Sequence, residues 1–242
     1  LRDILYFDLG HEMGHSQGLT HNFIGSFDKA NFTNEDGSAS QRNYSSIMDY
    51  MEPGQFHWDG IGAYDIHALR ASHLGLVEVN PKALDYFKSK NLLVQDKFIT
   101  IDTVKALVAK KGWADVSKAQ VATLLKEFKY CTDIDVGYEP TCQRFDCGTS
   151  ATEGVQNLIK DYEDNYVNLY HSWGRLDYDL SMQSAAVSSS IETMYQMRQF
   201  MDETMYRMVY QTGTQEEMMD YMQASVKAYL FYNQLLLSLI HI

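Results

Sequence analysis

At 242 residues and 45% apolar, the chain can bury one large core or two smaller ones, and its composition is that of a globular protein rather than a disordered one. Its 32 acidic against 20 basic side chains leave a net charge of −12, which argues against nucleic acid or an anionic membrane surface as the main partner. The apolar run from Leu235 to Ile242 is too short to cross a bilayer, so no membrane span is expected.

Leu1, Ile4, Leu5, Leu9 and Met13 recur at helical spacing, which predicts a helix over Leu1–Gln17 with a buried side. The same helix opens the stretch Gly10–Phe23, GHEMGHSQGLTHNF, where His11, Glu12, His15, Gly18 and His21 stand in the order H-E-x-x-H-x-x-G-x-x-H. Helical positions four apart lie about 40° apart around the axis, so His11 and His15 project from one face, one turn apart, as two imidazoles gripping one metal ion must. Glu12 sits on that turn, within reach of a water on the metal. His21 joins only if the helix stops first. Gly18 is where it can stop, because glycine accepts the left-handed conformation that reverses a chain. Three neutral imidazoles and one open position form the ligand set of a single catalytic zinc ion rather than a closed structural site. A bare H-E-x-x-H also arises by chance on solvated helices, and Gly18 and His21 set this one apart.

The segment Asn22–Tyr44, rich in Asn, Ser, Asp and Gly, reads as a long loop of the functional or flexible kind. Ser45–Tyr50, SSIMDY, then places Ser46, Met48 and Tyr50 as S-x-M-x-Y, with Met48 27 residues after His21. Together the two motifs resemble the metzincin clan of zinc endopeptidases, in which a methionine-containing turn lies beneath the metal. They are more closely similar to bacterial secreted zinc-dependent metalloproteases that carry H-E-x-G-H-x-x-G-L-x-H-N-F and S-S-x-M-D-Y. The resemblance is most specific over Leu1 to Gly75. It implies His11, His15 and His21 as zinc ligands and Glu12 as general acid/base. It further implies Met48 as packing beneath the site, Ser46 and Gly18 as its structural support, and Tyr50 as a hydroxyl near the metal, as in the astacin and serralysin branches. Asn22 departs from the Glu, Pro or Asp that follows the third histidine in the astacin, serralysin and adamalysin branches, so no substrate preference transfers from them.

Pro53–Gly62 breaks the chain, and Ile66, Leu69 and Leu74 restore helical spacing over Tyr64–Leu74, a segment resembling the closing helix of such a catalytic domain. Asp65 near its start suits the positive end of a helix dipole. No carboxylate or cysteine pattern accompanies His57, His67 and His73 at ligand spacing. His67 and His73 therefore read as ordinary helix residues, and His57, beside Trp58, as lining a cleft rim.

Beyond Pro81, short helices are expected over Ala83–Lys90 and Thr103–Lys111 with an extended piece at Phe98–Ile101 between them, then a longer helix over Ser117–Lys129, where Ser117 and Gln120 have capping-box spacing. Cys131–Gly148 reads as a loop. Its Asp133, Asp135 and Asp146 lack the EF-hand glycine and final glutamate, so a calcium site there is without support and a solvated loop is expected. Cys131, Cys142 and Cys147 match no zinc spacing; a Cys131–Cys142 disulfide and three unpaired thiols both stay open. Ser150 and Glu153 repeat the capping-box spacing and start a helix to about Trp173. Helices over Met182–Tyr210 and Gln215–Leu237 follow, parted at Thr212–Thr214, and their many Met and Tyr side chains read as packing faces of a helical bundle.

The expected fold is therefore mainly α: a partial metzincin-like catalytic subdomain over 1–80, with active-site helix, Met-turn and closing helix, followed by a helical domain over 81–242. In that clan a sheet precedes the active-site helix. This chain begins at the helix, so the sheet is expected to be missing and the apolar face from Leu1 to Met13 to lie uncovered. The resemblance implies a zinc-dependent endopeptidase acting on protein or peptide, secreted or in the bacterial cell envelope. Two other readings stay open: a catalytically idle zinc-binding scaffold whose helical half docks a partner, and a zinc hydrolase acting on another carbonyl substrate. The final LSLIHI resembles translated sequencing-adapter read-through. Oligomeric state is not legible in the chain.

Overall fold

The structure, a computed structural model, describes residues 2–50, 58–111, 123–144, 148–171 and 181–240. It is mainly helical and divides into two compact units, Leu1–Asp49 with Phe56–Tyr130, and Tyr50–Gln55 with Cys131–Ile242.

The first unit opens with α1 (Arg2–Ser16), which buries Phe7, His11 and Gly14. Those positions are four and three residues apart and make one stripe. The aliphatic stripe, expected to lie uncovered, is open to solvent, with Leu5 64%, Leu9 55% and Met13 59% exposed, and the side that is buried is the histidine stripe. On that buried side Phe7 meets the ring of Tyr44 edge-on at 5.4 Å, and the turn at Ile47–Met48 lies under His11 and Gly14. After α1 the long loop is compact. Two 3-10 turns, Gly25–Phe27 and Lys29–Asn31, bury Phe27 and Asn31, and the Asn31 amide donates to both oxygens of buried Asp28 at 2.8–2.9 Å. Arg42 fastens the loop's far end by donating to the carbonyls of Thr33 and Asp59.

Helix α2 (Ala63–Leu69) runs into a π-helical turn, Arg70–Leu74, closed by Gly75 at φ +64°. A hairpin-like pair follows, β1 (Leu76–Glu78) antiparallel to β2 (Phe98–Thr100), with Val77 opposite Ile99. Between and after them lie α3 (Leu84–Ser89) and α4 (Ile101–Lys111), as the periodicity predicts. Val79, Ala83, Phe87 and Ile99 form their core.

The helix expected over Ser117–Lys129 is not what the described part of that segment adopts; its first residues lie outside the described ones. Leu125 bridges Val79, the Asn80 amide donates to Leu124, and the Lys126 amide donates to Glu78. Further on, Asn31 and Asn22 donate to the carbonyls of Glu127 and Lys129, while Asp28 accepts from the Lys129 amide. Partners on β1 and on three buried polar side chains satisfy this backbone in an extended path, which overrides its local helical preference.

The second unit packs three helices, α5 (Ala151–His171), α6 (Ser181–Tyr210) and α7 (Gln215–Ile240), around Val155, Met197, Phe200, Ala224, Ala228 and Phe231. The box at the start of α5 is shared differently from expectation: Ser150 Oγ accepts from the Glu153 amide, but the Glu153 carboxylate reaches back to Thr149. Asp220 of α7 completes the cap by accepting from the Ala151 and Thr152 amides at 2.7 and 3.1 Å, an anion on a helix N-terminus. Of the methionines expected to pack, Met197 is fully buried and Met194 and Met201 flank the core, whereas Met205 and Met208 are exposed. The inward stripe of α6 is Ser190, Thr193, Met197, Phe200 and Thr204; Met194 and Met201 beside it are partly covered, and Met205 and Met208 lie away from it. No helix among the described residues is long and apolar enough to cross a membrane.

A polar cluster joins the loop after Cys131 to α6 and α7. Tyr221 donates to Glu139 at 2.8 Å, Arg207 lies over the Tyr221 ring at 4.1 Å, and its guanidinium pairs with Glu203 at 2.7 Å. In the same loop Asp133 pairs with Arg144 and Asp135 accepts from the Thr132 amide, which occupies both carboxylates with protein donors; Asp146 and Cys147 lie outside the described residues. Cys131 and Cys142 form a disulfide across 11 residues of sequence. A loop of that size is stabilised by about 2–3 kcal/mol through restriction of the unfolded chain. Replacing both cysteines by serine should lower stability by that amount in denaturant unfolding, with the helical content of the folded state unchanged.

Candidate metal centre

The end of α1 is built to turn the chain back on itself. Gly18 takes φ +92°, the Gly18 amide donates to the His15 carbonyl and the Leu19 amide to that of Gly14, both at 3.0 Å. This is the paired hydrogen-bond pattern of a glycine-ended helix, and any side chain at Gly18 would be strained at that φ. His21, three residues on, is thereby returned to the face that carries His11 and His15. The rings of the three histidines lie 4.8, 4.9 and 5.4 Å apart, and one ring nitrogen from each falls within 4.8 Å of the others.

The other side of two of these rings is already committed. His11 Nδ1 lies 2.7 Å from the Ile47 carbonyl and His15 Nδ1 lies 2.9 Å from the Leu19 carbonyl. A carbonyl oxygen only accepts, so each Nδ1 carries the proton and, in the neutral ring, each Nε2 keeps its lone pair. Burial holds the His11 ring below its ordinary pKa, which favours that neutral state. Two fixed tautomers and a third imidazole in reach fit a zinc ion, whose nitrogen ligands stand about 2.0–2.1 Å away and whose orientation depends on such outer hydrogen bonds.

The turn beneath the histidines is held from several sides. Gly14 lies against Met48: a β-carbon built there would overlap the Met48 sulfur, so the thioether packs on the helix backbone itself. Ser46 Oγ accepts from the Met48 amide at 3.0 Å and donates to Asp65 at 2.6 Å. The second Asp65 oxygen accepts from the amides of Ile47 and Gly62 at 2.8 and 2.9 Å. One buried carboxylate on α2 thus grips the turn whose Ile47 carbonyl orients His11. Asn22 is fully buried, and its amide donates to the Met48 carbonyl at 2.9 Å. Its side chain reaches the Lys129 carbonyl, a donor's task that Glu, ionised Asp or Pro at that position would not perform.

Among the remaining residues singled out in the sequence, Glu12 is exposed beside His11, and Tyr50 is half-buried and belongs to the second unit. His67 packs on Phe128 at 4.6 Å, and His73 lies 3.2 Å from the Gln17 carbonyl; neither approaches a second ligand cluster among the described residues. Trp58 stacks near Tyr6 at 6.2 Å, and His57 lies outside the described residues. Three contributors escaped the sequence reading. Gly14 is flagged only by its place inside the histidine motif, Asp65 had a helix-dipole reading alone, and Asn22 was noticed as a departure without a role.

A family model described as Met-zincin matches residues 2–70, the span that holds α1, the turn and α2. No curated protein and no solved structure matches the chain. The matched segment is thus similar to a metzincin-type zincin, and the three-histidine group suits the metal such a fold carries.

Asp65 gives this arrangement a pH signature. Burial lifts its carboxyl to about 6 against the pull of three hydrogen-bond donors. Because the folded-state pKa lies above the unfolded one, this group's contribution to stability is complete below about pH 4 and is lost as pH rises through about 6. Denaturant midpoints measured across that range should fall more steeply for the wild type than for Asp65→Asn. The variant should itself be less stable by about 1–3 kcal/mol: its side-chain oxygen can still accept from the Ile47 and Gly62 amides, but its NH2 then faces the Ser46 hydroxyl, which loses its acceptor.

Proposed function

We propose that the first unit serves a zinc-dependent endopeptidase that hydrolyses peptide bonds with a glutamate general base. The observation that carries this reading is the convergence of three imidazole nitrogens within 4.8 Å, two of them with tautomers fixed by carbonyls, beside an exposed glutamate. Zinc held by His11, His15 and His21 would supply the Lewis acidity that makes water a competent nucleophile near neutral pH. Glu12 takes the proton as water attacks the scissile carbonyl and returns it to the departing amine. Its exposure suits a group that must meet both water and substrate. Met48 packs against the Gly14 backbone and holds the turn level under the imidazoles, with no part in the chemistry. The motif assigns the Tyr50 hydroxyl to the developing oxyanion, an assignment supported by the resemblance alone. The disulfide accords with an oxidising compartment outside the cytosol.

The test is zinc content together with cleavage of a denatured protein mixture, with and without chelator, on the longest natural polypeptide that contains this chain. Glu12→Gln should bind zinc as the wild type does and lose cleavage by about 10²–10⁴-fold, the usual weight of a general acid–base group. Tyr50→Phe should lower turnover with zinc content unchanged. A zinc-loaded Glu12→Gln protein that cleaves at the wild-type rate refutes the reading.

A further inference from the structure

Helix α7 carries two apolar stripes with different fates. The first, Tyr221, Ala224, Ala228, Phe231 and Leu235, steps by three and four residues and forms part of the core of the second unit. The second, Met219, Met222, Val226, Tyr229, Asn233 and Leu236, steps the same way around the opposite side and is open to solvent, with Val226 61% and Tyr229 58% exposed. It is not the helix's solvent face. Glu216, Asp220, Gln223, Lys227 and Gln234 make a separate polar stripe between the two, and Asp220 is already engaged by the amides at the start of α5. A helix with a polar stripe of its own and a further uncovered apolar seam is shaped for a helical partner on that seam.

From these features we infer that the occupant is the same seam of a second copy, with the two α7 helices parallel about a two-fold axis. The spacing places Met219, Val226 and Asn233 at one core position of a seven-residue repeat, and Met222, Tyr229 and Leu236 at the other. A lone asparagine at the first of these positions is half-buried here, its amide nitrogen donating to the Tyr229 carbonyl at 2.7 Å. In a parallel pair such an asparagine meets its own counterpart and fixes register and pairing, a role that a wholly apolar partner helix would leave unanswered. Charge points the same way. Two copies of a chain with net charge −12 repel one another, yet this seam carries no ionisable side chain short of the Tyr229 phenol, so contact along it avoids that repulsion. The exposed parts of the six side chains and of neighbouring Leu230 amount to roughly 600 Å² per copy, approaching the ~800 Å² a side of a standard interface. All of these residues precede the terminal LSLIHI.

The measurement is the mass of the chain in solution by light scattering and sedimentation across micromolar concentrations, beside variants on the seam. The wild type should run as a dimer. Val226→Glu combined with Tyr229→Glu should halve the mass while helical content by circular dichroism stays the same, since both side chains are exposed. Asn233→Leu should shift the protein to larger assemblies. Asn233→Cys in a Cys147→Ser background should form an interchain disulfide on mild oxidation. A wild-type monomer throughout the range overturns the proposal and leaves the seam to an unrelated helix. So does a dimer that the double glutamate variant leaves intact. A dimer lost in that variant but never cross-linked through position 233 overturns the parallel register.

Discussion

The three-histidine site of the first unit depends on one carbonyl oxygen, that of Ile47, which accepts the Nδ1 proton of His11 at 2.7 Å. The bond links two pieces of chain 36 residues apart, and on it rest both the tautomer of the most deeply buried histidine and the height of the turn below it. An imidazole can turn about its side-chain bonds; one with its far nitrogen anchored cannot turn without breaking that anchor. The surrounding structure is a set of restraints on the same carbonyl. Asp65 holds the Ile47 amide, Ser46 the Met48 amide, Asn22 the Met48 carbonyl, and Gly14 lets the Met48 sulfur lie on the helix backbone. Each acts within two residues of Ile47 or on the helix it supports.

This organisation explains why so long a loop as Asn22–Tyr44 is ordered. Its turns bury Asp28 and Asn31 as a hydrogen-bonded pair, and the pair in turn holds the backbone of residues 127 and 129. Buried polar side chains hydrogen-bonded to one another and to remote backbone act here as struts. The same economy is visible on α2, where a single carboxylate takes three donors that would otherwise be buried without partners.

The histidine site was legible in the sequence because its determinants are local: two histidines one turn apart, a glycine that ends the helix, a third histidine three residues later. Helices α1 to α7 were likewise marked by apolar periodicity, and the break at Thr212–Thr214 by its glycine. What was not legible depends on partners remote in sequence. The extended path of residues 123–130 is dictated by β1 and by three buried side chains of the preceding loop, none of which a local helical pattern can register. The apolar stripe of α1 was legible as a stripe and as a face left uncovered, whereas the burial of the Phe7, His11 and Gly14 side was not, because periodicity marks a face without naming its neighbour. Asp65 and Asn22 drew attention in the sequence for reasons unrelated to their work, which is to satisfy a turn visible only once the chain is folded.

The site can take a metal because His11 and His15 present unprotonated Nε2 atoms while carbonyls hold their Nδ1 protons. Long-range nitrogen–proton correlation spectra of histidine-labelled protein read that state directly, before and after one equivalent of zinc. The expected result is the Nδ1–H tautomer for both rings in the metal-free protein, with the Nε2 resonances of His11, His15 and His21 shifting together on zinc addition. Nε2–H tautomers at His11 and His15, or spectra that zinc leaves unchanged, would contradict it.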